Sequence, residues 1–186
     1  VFFDDERSNR LRPEILTQLV GQYLNDAERA RYLGLPDTTR IRERAKIINP
    51  ERLILGEHCW IGEDAVLDAS GGLTIGEHTS VGVGTLVFTH SSWLANMMLE
   101  NHSGSDLIER TPVVIGKGCF LGGHAVIMPG VTIGDFATVQ PNSVVAKDVP
   151  DRCLVAGNPA RVFQRYDEDY VESEAERVRA KNARLP

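Results

Sequence analysis

This chain of 186 residues has little that could cross-link it, span a bilayer or hold a metal ion. Its three cysteines give no paired framework and no zinc-like spacing. Two of them, Cys59 and Cys119, fall at places where a small residue recurs, so reduced thiols filling inner corners are expected. No bound metal is expected. No apolar run approaches the ~18 residues of a membrane span, and no secretory signal is visible. The expectation is a cytoplasmic protein without a membrane span. The first residue is Val1 rather than Met, so residues upstream are allowed for. Basic excess is missing too: a net charge of −6 argues against a general nucleic-acid partner. The length suits one domain with appendages.

What the chain does have is a six-residue rhythm. Aliphatic residues stand at Leu55, Ile61 and Leu67, then at Ile75, Val81 and Val87, then at Ile115, Leu121, Ile127, Ile133, Val139 and Val145. The fourth residue after most of these is small or β-branched, from Cys59 and Ala65 through Ser143 and Val149. Six fits neither one helix nor a hairpin. It fits a coil with three flat faces and tight corners, in which each short strand turns an aliphatic residue inward and each corner needs a small one. Successive coils then stack as parallel strands about 4.8 Å apart, and each buries its apolar side only against its neighbours. Twelve such positions give about four turns. The rhythm breaks twice. Leu67 to Ile75 is eight residues, which puts two extra near Ser70-Gly71-Gly72. Val87 to Ile115 is 28, so a loop covering 91–112 must leave the stack. Interruptions of a regular scaffold are where function is usually carried.

The fold class expected is therefore an all-β solenoid with helical ends. Residues 1–46 read as an N-terminal helical cap. Pro13 opens a helix with apolar residues from Ile15 to Leu24, and a second helix over 27–33 stops at Gly34. Residues 35–46 read as a polar connection whose Arg40, Arg42, Arg44 and Lys46 suggest a solvated strand edge. Residues 47–165 form the solenoid. Residues 166–186 read as a charged helical tail, acidic first and basic later.

Of five histidines, His58, His78 and His124 share one corner position and read as solvated structure, and His102 lies in the loop. His90 differs, because it stands where the rhythm stops. One coil back from His90 lands on Ser70, which puts Asp68 close by. Asp68 is then either the carboxylate behind an imidazole or a turn residue at the Gly71-Gly72 bulge. Trp93, Leu94, Met97 and Met98 in the loop have helical spacing and suit packing on a neighbouring subunit.

Asp68-Ala69-Ser70-Gly71-Gly72-Leu73-Thr74-Ile75-Gly76, Phe88-Thr89-His90-Ser91 and the ending Gly157-Asn158-Pro159-Ala160-Arg161 resemble the hexapeptide-repeat acyltransferases, in their sugar O-acetyltransferase branch. The resemblance covers about 53–163. It implies a left-handed β-helix, acetyl-CoA as acyl donor, and His90 as general base for a saccharide or small-molecule hydroxyl. It implies an oxyanion donor near Gly122 and Gly123, and coenzyme contacts at Gly122, Gly123, Pro141, Ala146, Lys147 and Arg161. It also implies a homotrimer with sites between subunits. Relatives continue Thr-His-Ser-His-Asp; here Ser92 and Trp93 take the last two places, so Ser91 and Trp93 are the candidate acceptor contacts. Transfer to an amino sugar, or a non-catalytic scaffold, stays open. A zinc carbonic anhydrase of this fold needs two histidines five residues apart, and no pair has that spacing. A sugar nucleotidyltransferase needs a nucleotide domain that forty-odd leading residues cannot supply.

Overall fold

A computed structural model describes residues 22–102 and 105–184. The helix expected from Pro13 lies almost wholly outside them. The first described helix, α1, is Asp26–Tyr32. Asn25 Oδ1 accepts from the Ala27 and Glu28 amides, and Glu28 reaches back to the Asn25 amide at 2.8 Å, a full capping box. Gly34, just past the helix, takes φ +70°. Ala30 is fully buried, and Arg29 Nη1 donates to the Ile41 carbonyl at 2.7 Å. The helix thus covers the N-terminal end of the stack, whose edge would otherwise be open to pairing.

The stack has three faces. The first holds β1 (Arg40–Ile41), β4 (Trp60–Ile61), β7 (Ser80–Val81), β12 (Phe120–Leu121), β15 (Thr138–Val139) and β17 (Cys153–Gly157) in parallel, with β18 (Ala160–Arg165) antiparallel at its end. The second holds β2 (Lys46–Ile48), β5 (Val66–Asp68), β8 (Leu86–Val87), β13 (Val126–Ile127) and β16 (Val144–Val145). The third holds β3 (Leu53–Leu55), β6 (Leu73–Ile75), β11 (Val113–Ile115) and β14 (Thr132–Ile133). Each inward aliphatic residue lies on its counterpart one coil away: Ile61 on Val81, Val81 on Leu121, Leu121 on Val139. These side chains are at most 1% exposed, and burial of each is worth about 1.5–3 kcal/mol.

The first face counts six parallel strands, so there are about six coils and not about four. The count differs because Arg40–Ile41 and Lys46–Ile48 are strands, not a connection. Ile41 and Ile47 keep the six-residue step and pair with Ile61 and Leu67, but the step on to Leu55 is eight residues, as from Leu67 to Ile75, and the basic residues around them hide the rhythm. Arg42 pairs with Asp26 at 3.1 Å, and Arg44 holds Asp64 through two bonds of 2.8 Å, so the basic run is a strand edge of which these two residues are neutralised. At the other end, Val155 carries the first-face ladder one coil beyond Val139.

The corners behave as their small residues require. Thr79 Oγ1 donates to the Gly116 carbonyl at 2.8 Å, and the Cys59 and Cys119 thiols donate to Gly76 and Gly134, each at 3.1 Å. Burial pushes the Cys119 thiol up to about 11, so it stays protonated and able to donate. His58, His78 and His124 occupy left-handed corner positions at φ 56–58°, and the His58 and His78 rings stack at 4.8 Å. They are structural, as their shared hexad position suggests. The charged tail is α3, Glu168–Asn182, with Asp167 as its cap and no buried residue. No helix among the described residues is long and apolar enough to cross a membrane.

Candidate active site

The second break in the rhythm is a pair of short antiparallel strands. The chain leaves β8 through Phe88 and Thr89 into β9 (His90–Ser91), and returns through β10 (Glu109–Arg110). Between them lies α2, Trp93–Met97. The first break, at Ser70-Gly71, lies directly beneath, because Leu67 pairs with Val87 one coil on. The two irregularities therefore meet on one edge of the prism, between the second and third faces.

Asp68, at the end of β5, is 1% exposed and every neighbour of its carboxylate is a donor. Oδ1 accepts from the Ser70 amide at 2.9 Å. Oδ2 accepts from the Thr89 amide at 3.0 Å and lies 2.6 Å from His90 Nδ1. Burial works against the charge, but the Thr89 amide, the Ser70 hydroxyl and amide and His90 overcome it and hold the carboxyl at about 2. An ionised carboxylate at 2.6 Å fixes the proton on Nδ1. Nε2 is then an acceptor, with no hydrogen-bond partner among the described residues, on a side chain 38% exposed. The arrangement can take a proton from a hydroxyl brought to Nε2 and stabilise the imidazolium that results.

Two further residues complete the site. The Thr89 hydroxyl donates to the Asp68 carbonyl at 2.9 Å and accepts from the Gly71 amide at 2.7 Å. Ser70 Oγ lies 3.1 Å from His90 Nδ1. Ser70 was legible from the one-coil register; Thr89 shows only as a polar residue in a buried place. Gly71 is required there, since a Cβ on it would come within 2.2 Å of the Thr89 carbonyl. Gly71→Ala is therefore expected to cost about 1–3 kcal/mol, read as a melting temperature lowered by about 5 °C. An unchanged melting curve would show that Thr89 can move freely.

Residues 112–147 match the family model of bacterial transferases with six hexapeptide repeats. The chain is 37% identical over 124 residues to WcaF of Escherichia coli K12, provisionally named a colanic acid biosynthesis acetyltransferase; the match covers 67% of this chain and 64% of that protein. It is 30% identical to a chloramphenicol acetyltransferase of Agrobacterium fabrum, over 76% of this chain and 60% of that one. The chain carries the hexapeptide repeat of these transferases. It spans just under two thirds of the length of these curated relatives. A hexapeptide-repeat acetyltransferase of Vibrio cholerae O1 biovar El Tor, solved with acetyl coenzyme A, superposes with a TM-score of 0.75 at 28% identity, covering 89% of this chain and 92% of that one. The fold is thus the left-handed β-helix of this family.

The other residues singled out by sequence divide between edges of the prism. Ala146 and Lys147 follow β16 on the same edge as His90, two coils further on, since Val87 pairs with Ile127 and Ile127 with Val145. Gly122, Gly123 and Pro141 follow β12 and β15 on the edge between the first and second faces. The width of one face, about five residues or 16 Å, separates them from His90 within one chain. Arg161 is exposed on β18 at the end of the stack. Trp93 is 57% exposed at the start of α2. Ser91 faces Glu109 and, by strand alternation, points away from the side that carries the imidazole.

Proposed function

We propose that this hexapeptide-repeat protein is an acetyl-CoA-dependent O-acetyltransferase acting on a hydroxyl of a saccharide or sugar-containing metabolite. The observation that carries the reading is the His90 Nδ1–Asp68 contact of 2.6 Å, with Nε2 left open where the repeat breaks. An alcohol is a weak nucleophile at neutral pH. His90 Nε2 accepts the hydroxyl proton as the alcohol oxygen attacks the thioester carbon. The tetrahedral oxyanion collapses by breaking the carbon–sulfur bond. The imidazolium then returns the proton to the departing thiolate, releasing the acetyl ester and free coenzyme A. Asp68 stays ionised throughout and holds the imidazole in the productive tautomer.

In this reading Ala146 and Lys147, on the His90 edge, hold the pantetheine arm and phosphates, with Arg161 at the end of the stack. Gly123 would offer its amide to the oxyanion. Since Gly122, Gly123 and Pro141 lie on another edge, they reach a thioester at His90 only from a second copy, which favours a homotrimer with three shared sites. The outward residues of the second face beyond its first strand, Val66, Leu86, Val126 and Val144, are aliphatic and offer such a copy an apolar strip that ends at Lys46. Trp93, exposed in the loop after His90, would stack on the acceptor. A cytoplasmic setting, where acetyl-CoA is available, and a role in polysaccharide modification go with the same reading.

The test is thiol release from acetyl-CoA across neutral sugars, acidic sugars, amino sugars and sugar nucleotides. Acceptor-dependent release with an ester product is expected. An amide product would move the reaction to nitrogen, and no release with any acceptor would leave a scaffold.

A further inference from the structure

Two arginines adjoin the residues around His90, and the transfer chemistry uses neither. Arg52 closes the short 3₁₀ turn Pro50–Arg52 in the first coil, and its Nη1 donates to the Ser70 carbonyl. Ser70 is the residue whose hydroxyl lies 3.1 Å from His90 Nδ1, so guanidinium and imidazole touch the same residue from opposite sides along the edge. Arg110 is the cross-strand partner of His90. The Thr111 amide bonds the Thr89 carbonyl at 2.9 Å, which makes His90 and Arg110 a non-hydrogen-bonded pair. Side chains of such a pair stand on one side of the ribbon, with Cβ atoms about 4.5–5.5 Å apart.

Both arginines are exposed, and both spend their hydrogen bonds on main-chain carbonyls, of Ser70 and Ile108. No carboxylate pairs with either among the described residues. Arg31, Arg42, Arg44, Arg152 and Arg177 each have one, so what sets Arg52 and Arg110 apart from other unpaired arginines is their place next to Ser70 and His90. The carboxylates nearby are turned to other tasks. Asp68 is buried behind the imidazole, Glu51 accepts from Asn49 at 3.0 Å, and Glu109 is paired with Ser91 on the other side of the ribbon. In a chain of net charge −6, two unneutralised guanidiniums beside the base make a local positive field. Their planar forks suit a carboxylate or a phosphate.

The order along the edge says which substrate the anion belongs to. The candidate coenzyme residues Ala146 and Lys147 lie on the C-terminal side of His90, and Arg52 lies two coils away on its N-terminal side. We propose that Arg52 and Arg110 form an anion subsite for the acceptor, so that the hydroxyl presented to His90 belongs to a saccharide carrying a carboxylate or a phosphate group. That the bound molecule is an acceptor rests on the transferase reading; the anion subsite itself does not.

Isothermal titration of the full chain tests this, using methyl glucuronide, glucose 1-phosphate and neutral methyl glucoside. The unaltered protein is expected to bind at least one anionic sugar about 10-fold or more tighter than the neutral one. Arg52→Gln and Arg110→Gln are each expected to erase that ratio and leave coenzyme A affinity within about twofold, while Arg179→Gln on the exposed tail helix keeps the ratio. A loosened fold would weaken charged and neutral sugars alike, so the ratio reports recognition. A preference for the glucuronide would mark an acidic sugar, and one for the phosphate a phosphorylated or nucleotide-linked sugar. A protein that binds these anions yet releases no thiol from acetyl-CoA keeps the subsite and loses the transferase. No charge preference in the unaltered protein overturns the proposal. So does a preference that survives both substitutions, or a loss of coenzyme A affinity in their place.

Discussion

His90→Ala is expected to lower acetyl transfer by about 10³-fold while coenzyme A still binds. General-base catalysis by a positioned side chain is worth about 10²–10⁴, and no other imidazole of the same chain lies on the His90 edge. His58, His78 and His124 sit in left-handed corners on other edges, and His102 bonds Asn96 in the loop. The fold should survive. The side chain is 38% exposed, and Asp68 keeps its bonds to the Ser70 and Thr89 amides. The coenzyme residues lie two coils away, so the loss should appear in kcat and not in the affinity for the donor. Steady-state kinetics with a coenzyme A titration on the same preparation measures both. Full turnover in the variant would remove the imidazole from the mechanism, and with it the reading of the site.

How much of this was legible beforehand follows from where the six-residue period holds. Inside the period, the inward side chains, the satisfied corner thiols and the structural histidines could all be read. The same arithmetic placed Ser70 under His90 and Asp68 beside it, because a coil of known length gives a register. Reading stopped early at the N-terminal end because Arg40, Arg42, Arg44 and Lys46 drew attention from Ile41 and Ile47, which carry the rhythm inward. It also stopped at the loop. Residues 92–108 have no period, so nothing in the sequence sets Arg110 opposite His90; that pairing comes from main-chain hydrogen bonds between β9 and β10. A count of hexads gives how many coils separate Gly123 from His90. The face that separates them emerges only once the strands are sorted into three sheets.

Asp68→Asn tests the other half of the pair, and its effect should be nearly as large. Each oxygen of the carboxylate faces donors: the Ser70 amide on Oδ1, the Thr89 amide and His90 Nδ1 on Oδ2. An amide NH₂ must therefore meet a donor whichever way it is turned. If it faces Ser70, a buried N–H loses its acceptor. If it faces His90, the imidazole is bound through an unprotonated Nδ1, the proton moves to Nε2, and the base is gone. The second outcome predicts kcat lower by about 10²–10⁴ with the fold intact; the first keeps the tautomer and lowers kcat only by removing the charge that steadies the imidazolium. The same substitution changes the response to acid. The carboxyl is held at about 2 in the folded chain against an ordinary 3.8, so its contribution to stability is complete above about pH 4 and is lost as pH falls toward 2. By linkage that contribution is about 2 kcal/mol. Urea midpoints measured from pH 5 down to pH 2 should show the unaltered chain losing its advantage over Asp68→Asn across that window. A constant difference between the two would mean that the carboxylate is not held ionised by the Thr89, Ser70 and His90 donors. The tautomer argument for Nε2 would then lose its support.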